Sequence, residues 1–134
     1  MSILSRCKYW QKIMRLLDWD IKFSALNKKD YGEVEAAWGW EPGKTNGHMD
    51  GDYFRRSAYV TLLKSAPDIE YTILHELSHV MHQEVREFVE GLVANIKNQE
   101  LSDYIAEQWS EIHERSIHAT SRALLSASKS YERN

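Results

Sequence analysis

The amino-acid sequence predicts an α+β domain, a small sheet packed on helices. Three observations predict it. An amphipathic segment opens the chain, with apolar residues at helical spacing. Short alternating segments follow in the first half. The second half then reads as helix almost throughout, with a single punctuation at Pro67-Asp68. At 134 residues the chain is long enough to bury a real core, and residues 1–134 are expected to form one domain.

Residues from about Ser5 to Leu17 read as the first helix, because Tyr9, Ile13, Leu16 and Leu17 recur at helical spacing. Asp20–Leu26 alternates Ile21, Phe23 and Ala25 with polar partners and is expected to be a strand. Asn27–Gly32 reads as a turn, Glu33–Trp40 as a second strand, and the Pro- and Gly-rich Glu41–Asp52 as a loop. Arg56–Leu63 is the third strand, with Tyr59, Thr61 and Leu63 on one face. Asp68 is a good helix N-cap, so Ile69 to about His82 is helical, with a continuation or restart through Glu84–Ile96. A last long helix is expected from about Ser102 to Ser128, and the polar tail Ser126–Asn134 is expected to fray. Trp10, Trp19 and Trp109 fall on apolar faces and read as core, as does Cys7.

Composition excludes several function classes. Hydrophobic residues make up 43% and charged residues 28%, a globular balance that argues against disorder. The net charge of −3 gives no electrostatic case for nucleic acid or an anionic membrane as partner. The single cysteine cannot form an intrachain disulfide, no apolar run has the length of a membrane span, and the opening segment is amphipathic instead of signal-like. The cytoplasm is the expected location. The sequence does not speak to oligomeric state.

The segment His75-Glu76-Leu77-Ser78-His79 carries chemistry. On a helix, residues i and i+4 share a face, so the two imidazoles can meet one ion. Zinc takes histidine nitrogen at short range and, in a catalytic site, keeps a position open for water. Glu76, rotated about 100° around the helix, can act on that water as general base. Ile73, Leu74, Leu77, Val80 and Met81 cluster on the opposite side, so the histidines face a cleft and the apolar stripe faces the core. His82 stands where H-E-x-x-H-x-x-G-x-x-H requires glycine and Val85 where it requires histidine, which excludes the metzincin arrangement.

A third protein ligand is needed, and the last helix offers Glu111, His113, Glu114 and His118. Ile105, Trp109, Ile112, Ser116, Ala119 and Ala123 form one stripe of that helix, and Ile117, Ser121, Leu124 and Leu125 a second face. Glu114 borders the second face, and phase alone leaves the four candidates open. An oxyanion partner is also expected, with His113, His118 and Tyr104 as candidates.

From Asp18 to Leu125 the chain resembles the minimal gluzincin-type peptidases common on phages and mobile elements, including those that cleave immunity repressors. The resemblance rests on H-E-x-x-H, on a preceding strand like Ser57–Leu63, and on Glu114 followed by Ile117, Ser121, Leu124 and Leu125. The stretch between the motif and Glu114 is longer here. The resemblance implies a zincin-like fold, Zn2+ held by His75, His79 and Glu114, Glu76 as catalytic base, and a protein or peptide substrate. It also implies that Ala58, Tyr59 and Val60 lie on an edge strand that pairs with the substrate backbone; an ordinary sheet strand is the other reading. Against the endopeptidase stands a zincin-like domain that keeps its metal for structure or recognition and cuts nothing.

Overall fold

The computed structural model describes residues 2–133, with side chains described through Lys129. Helix α1 spans Ile3–Ile13, capped by Ser2, whose hydroxyl accepts the Ser5 N–H at 3.1 Å. Its buried face is Cys7, Trp10 and Met14, while Tyr9, Ile13 and Leu17 are exposed. Of the expected stripe Tyr9, Ile13, Leu16 and Leu17, Leu16 alone is buried, and it lies beyond the end of the helix. Arg15 takes a left-handed conformation at φ 58°. Leu16 N–H then bonds to Gln11 C=O and Arg15 N–H to Lys12 C=O, the Schellman pattern without its usual glycine. Buried Gln11 donates from Nε2 to the Leu16 and Trp19 carbonyls, which drops Leu16 and Trp19 into the core.

Strand β1 is Asp20–Leu26, as its alternation predicts. The next segment corrects the sequence reading. Lys28–Ala37 is helix α2, where a turn and a second strand were expected. Asn27 caps it by accepting the Asp30 N–H at 2.8 Å, and Gly39, at φ 73°, ends it with Trp40 N–H on Glu35 C=O. Residues 47–52, expected as loop, form strand β2, Gly47–Asp52.

Strand β3 is Ser57–Leu63. The sheet order is β1-β3-β2, with β1 parallel and β2 antiparallel to β3. This overturns the edge-strand expectation for Ala58, Tyr59 and Val60. Both sides of β3 are paired, so no backbone there is free to receive a peptide. Ala58, Val60 and Leu62 point into the core and Tyr59 is exposed on the opposite face.

Helix α3, Ile69–Met81, starts at Asp68, which accepts the Tyr71 N–H at 3.1 Å. Ile73, Leu74, Leu77 and Val80 are fully buried, as the phase predicts, and Met81 is exposed. His82 ends α3 and α4 restarts at once over Gln83–Ala94. Helix α5, Gln99–Arg133, is longer than expected at both ends, and helix replaces the frayed tail as far as Arg133; Asn134 lies outside the described residues. Its buried face is His113, Ile117, Ser121 and Leu125, whereas Ile112, Ser116, Ala119 and Ala123 face outward. Trp109 is only partly buried.

The core lies between the sheet and the α1/α3 layer: Cys7, Trp10, Leu16, Trp19, Met49, Val60, Leu62, Ile73, Leu74 and Leu77 pack there. The observed elements match a minimal zincin-like α+β fold. Leu77 sits at its centre with no exposed surface. Leu77→Ala should lower unfolding free energy by about 2–5 kcal/mol in urea denaturation, through lost burial and the cavity left behind.

Candidate metal site

The site is built where α3, α5 and β2 meet. Ser78 on α3 and Ser121 on α5 are fully buried, and their hydroxyls lie 3.5 Å apart. Each hydroxyl also donates to the carbonyl one turn back, Leu74 at 2.7 Å and Ile117 at 2.8 Å. Small side chains at the crossing let the helices approach closely, and the back-bonds leave no hydroxyl unsatisfied. Two turns before Ser121, this approach sets Glu114 over the outer face of α3.

There the donors converge. His75 Nε2 and His79 Nε2 are 3.3 Å apart, Glu114 Oε1 is 3.2 Å from His79 Nε2, and Glu114 Oε2 is 3.5 Å from His75 Nε2. Among the described residues, these are the His, Cys, Asp and Glu side chains whose ligand atoms come together in this way. A tetrahedral zinc site, with bonds of about 2.0–2.1 Å, spaces its donors by about 3.3 Å. The cluster thus has the size such an ion needs.

The chemistry of the donor set agrees. Burial holds the His75 and His79 imidazoles below their ordinary pKa, His79 to about 3; Glu114 partly offsets this at His75, and a neighbouring histidine adds to it at each ring. Both rings are held toward the neutral form, in which each can turn a nitrogen lone pair to an ion beside Glu114. A divalent cation is the partner that satisfies all three.

Glu76 lies beside the cluster, 6% exposed. Burial, and next Glu114, push its carboxyl up to about 8. Gly47 makes this placement possible. A Cβ there would stand 2.9 Å from Thr72 Cγ2 and 3.1 Å from Glu76 Cγ, so only glycine lets β2 lie this close on α3. An open hollow of about 350 Å³ faces the cluster, lined by Trp40, His48, Met49, Glu76 and Arg86 among others. Its wall is tied down from α2: Tyr31 and Thr45 hydroxyls meet at 2.8 Å, and Thr45 donates to Glu35.

The remaining candidates separate cleanly. Glu111 is exposed and outside the cluster, and Tyr104 is exposed beside a different hollow, with Asn98, Glu100 and Leu101. His82 donates from Nδ1 to the Ser78 carbonyl, away from the donors. His118 Nδ1 bonds Tyr71 Oη, which is also 3.4 Å from His75 Nδ1. His113 is buried against Trp109 and His79. Tyr71 is the functional neighbour that the sequence reading missed, although its position four residues before His75 puts it on the same helix face. Arg86, paired through Nε with Glu90 at 2.9 Å, gave no sequence signal at all.

Two measurements follow from this packing. Gly47→Ala should destabilise the fold by about 1–3 kcal/mol, read by denaturation, because the added methyl meets Thr72 and Glu76. Glu76 also gives the chelator-treated protein a pH dependence of defined sign. Its folded pKa of about 8 stands above its ordinary 4.5, so the folded chain keeps a proton that the unfolded chain releases. That contribution is complete below pH 4.5 and is lost as pH rises through 8. With EDTA present, wild type should lose a few kcal/mol relative to Glu76→Gln between pH 5 and pH 9; parallel profiles would refute the assignment.

Comparisons with protein families, with curated proteins and with solved structures return no match. The fold and the donor geometry therefore carry the assignment alone: His75-Glu76-x-x-His79 with distal Glu114 is the arrangement of an HExxH-type zincin-like metal site.

Proposed function

We propose that the protein is a zinc-dependent endopeptidase. The observation that carries this reading is the convergence of His75, His79 and Glu114 with a buried carboxylate, Glu76, next to them. A structural site has no use for such a group, and holding it in a low-dielectric environment is costly.

His75, His79 and Glu114 would hold the ion, which would supply Lewis-acid polarisation of a peptide carbonyl and a lowered pKa for water. Glu76 does the proton work. Positive charge at the neighbouring donors favours its ionised form, which offsets the burial that keeps it protonated in the metal-free protein. Its carboxylate takes a proton from the attacking water and then delivers it to the leaving amide nitrogen. The substrate strand is reassigned from β3 to β2. The free edge of β2 runs beside the cleft, and Gly47, His48 and Met49 line the same hollow as His75 and Glu76. An extended peptide pairing with that edge passes over the donor cluster.

The test combines metal content with turnover. Purified wild type should carry one zinc per chain and cleave members of a broad peptide library. Glu76→Gln should keep the zinc and lose at least about 100-fold in rate, the scale expected for removing a general base. Glu114→Ala and His79→Ala should lose both zinc and activity. Zinc-loaded wild type that cuts nothing, or a Glu76→Gln variant as fast as wild type, would remove the peptidase reading.

A further inference from the structure

Register decides which groups of β2 face its open edge. Leu63 N–H bonds to Asn46 C=O at 2.9 Å, one step beyond the Gly47–Leu62 pairing, so Asn46 and Leu63 are a hydrogen-bonded pair of the antiparallel ladder. Such pairs alternate, which turns the N–H and C=O of Gly47, Met49 and Gly51 away from β3. Helix α4 takes the far end of that edge. Gln83, 5% exposed, donates from Nε2 to the Gly51 carbonyl at 3.0 Å, and Glu87 accepts the Tyr53 N–H at 2.9 Å. Gly47 and Met49 stay open beside the donor cluster. An extended peptide paired with them runs up against the first turn of α4.

Arg86 stands in that turn, next to Glu87 and three residues from Gln83. We propose that its guanidinium binds a carboxylate of the peptide, so that the cleft selects substrates with an acidic side chain or a free C-terminus at the α4 end. The inference rests on the peptide-binding reading of the cleft given above, and it does not require that the bound peptide be cut.

Position, geometry and charge all support the role. Arg86 lines both hollows that meet at the donor cluster, one of about 350 Å³ with His48 and Glu76, the other of about 260 Å³ with Trp109 and His113. Among the described residues lining these two hollows it is the sole lysine or arginine. Glu90 holds it through Nε at 2.9 Å, which orients the guanidinium and leaves Nη1 and Nη2 without a protein partner among the described residues. That outer edge matches the two oxygens of a carboxylate in a bidentate pair, which a lysine ammonium cannot form. The Glu90 side chain is 56% exposed, so water screens its charge. The Arg86 charge reaches into the cleft. Burial is the first cause that holds His48, His79 and His113 below their ordinary pKa, and Arg86 is a further cause at all three, whereas Glu90 is a cause at none. An ordinary i,i+4 helix pair accounts for the Nε contact. It does not account for a guanidinium anchored at the closed end of an open strand edge.

The experiment reads binding separately from cleavage. Zinc-loaded Glu76→Gln protein, immobilised so that bound peptide is retained uncut, captures peptides from an equimolar library of N-acetylated decapeptides. Each sequence is made with Glu or with Gln at one position, and with its C-terminus free or amidated. Captured peptides are counted by mass spectrometry, and matched pairs are ranked by competition. The carboxylate member of a pair should bind about 10–100-fold more tightly, the scale of one charge-assisted pair. Preference for Glu over Gln identifies a side-chain carboxylate, and preference for acid over amide a C-terminal one. Adding Arg86→Gln should abolish the preference, and Arg86→Lys should restore part of it, with thermal unfolding and zinc content checked for each variant. Equal binding within matched pairs, a preference that survives Arg86→Gln, or no captured peptide would overturn the proposal. So would an Arg86→Gln variant that loses affinity for every set alike, since that marks a structural role. Wild type that binds with the carboxylate preference and cuts none of these peptides would instead refute the endopeptidase reading and leave the Arg86 assignment standing.

Discussion

The crossing of α3 and α5 at Ser78 and Ser121 is the constraint on which the rest of the site depends. Neither serine is a ligand, and neither is exposed. Their size sets how near the helices come, and their back-bonds to Leu74 and Ile117 make the close contact cheap in polar groups. A larger residue at either position would lift α5 away from α3. Glu114 lies two turns from the contact, so a small shift of the helix axis there moves the carboxylate by a comparable distance from His75 and His79. Donor spacings of 3.2–3.5 Å leave little room for that. The heptad-like stripe of Ile112, Ser116, Ala119 and Ala123 plays no part in the crossing and faces outward.

How legible this was in the sequence varied with the kind of physics involved. Where periodicity is strong and caps are present, the reading was accurate. Asp20–Leu26 is the strand expected, Arg56–Leu63 is found as Ser57–Leu63, and Asp68 starts α3. The errors fall where local signals compete. Asn27 reads equally as a turn former and as an N-cap, and Gly32 reads as a breaker. The burial of Tyr31 and Glu35, one helical turn apart, decides for helix, and that burial is a tertiary fact. Strand β2 has almost no β-forming residues; Gly47-His48-Met49-Asp50-Gly51-Asp52 becomes a strand because β3 offers it a ladder. Of its two glycines, which suggested a loop, Gly47 lets the edge strand lie against α3 and Gly51 leaves room for Met49 and for Gln83 of α4.

The site was legible in a similar, uneven way. Two donors and the buried carboxylate follow from H-E-x-x-H on an amphipathic helix, and the structure sets His75, Glu76 and His79 where that phase requires. Glu114 needed resemblance to separate it from Glu111, His113 and His118, because all four lie within two turns of one helix. The geometry shows why phase failed. His113, Glu114 and His118 all face the same region, and they differ in what they reach: His79's ring, the donor nitrogens, or Tyr71. The substrate strand was the clearest error. Strand order cannot be read from spacing along the chain, and the insertion of β2 at the outer side of β3 depends on a non-local pairing.

The same packing that makes the cluster precise makes it costly without an ion. Burial disfavours the charged form of both imidazoles and raises Glu76 to about 8, so without an ion the site gathers two uncharged rings against Glu114 with a protonated acid beside them. Each of those shifts has desolvation as its largest cause. A cation reverses the balance at every group together: it gives the lone pairs a partner, compensates Glu114, and favours ionised Glu76. The fold thus spends stability on an arrangement that is relieved by one ligand class. That coupling favours a site built to hold a metal over a passive packing contact, since neutral apolar residues at these positions would stabilise the same helices at lower cost.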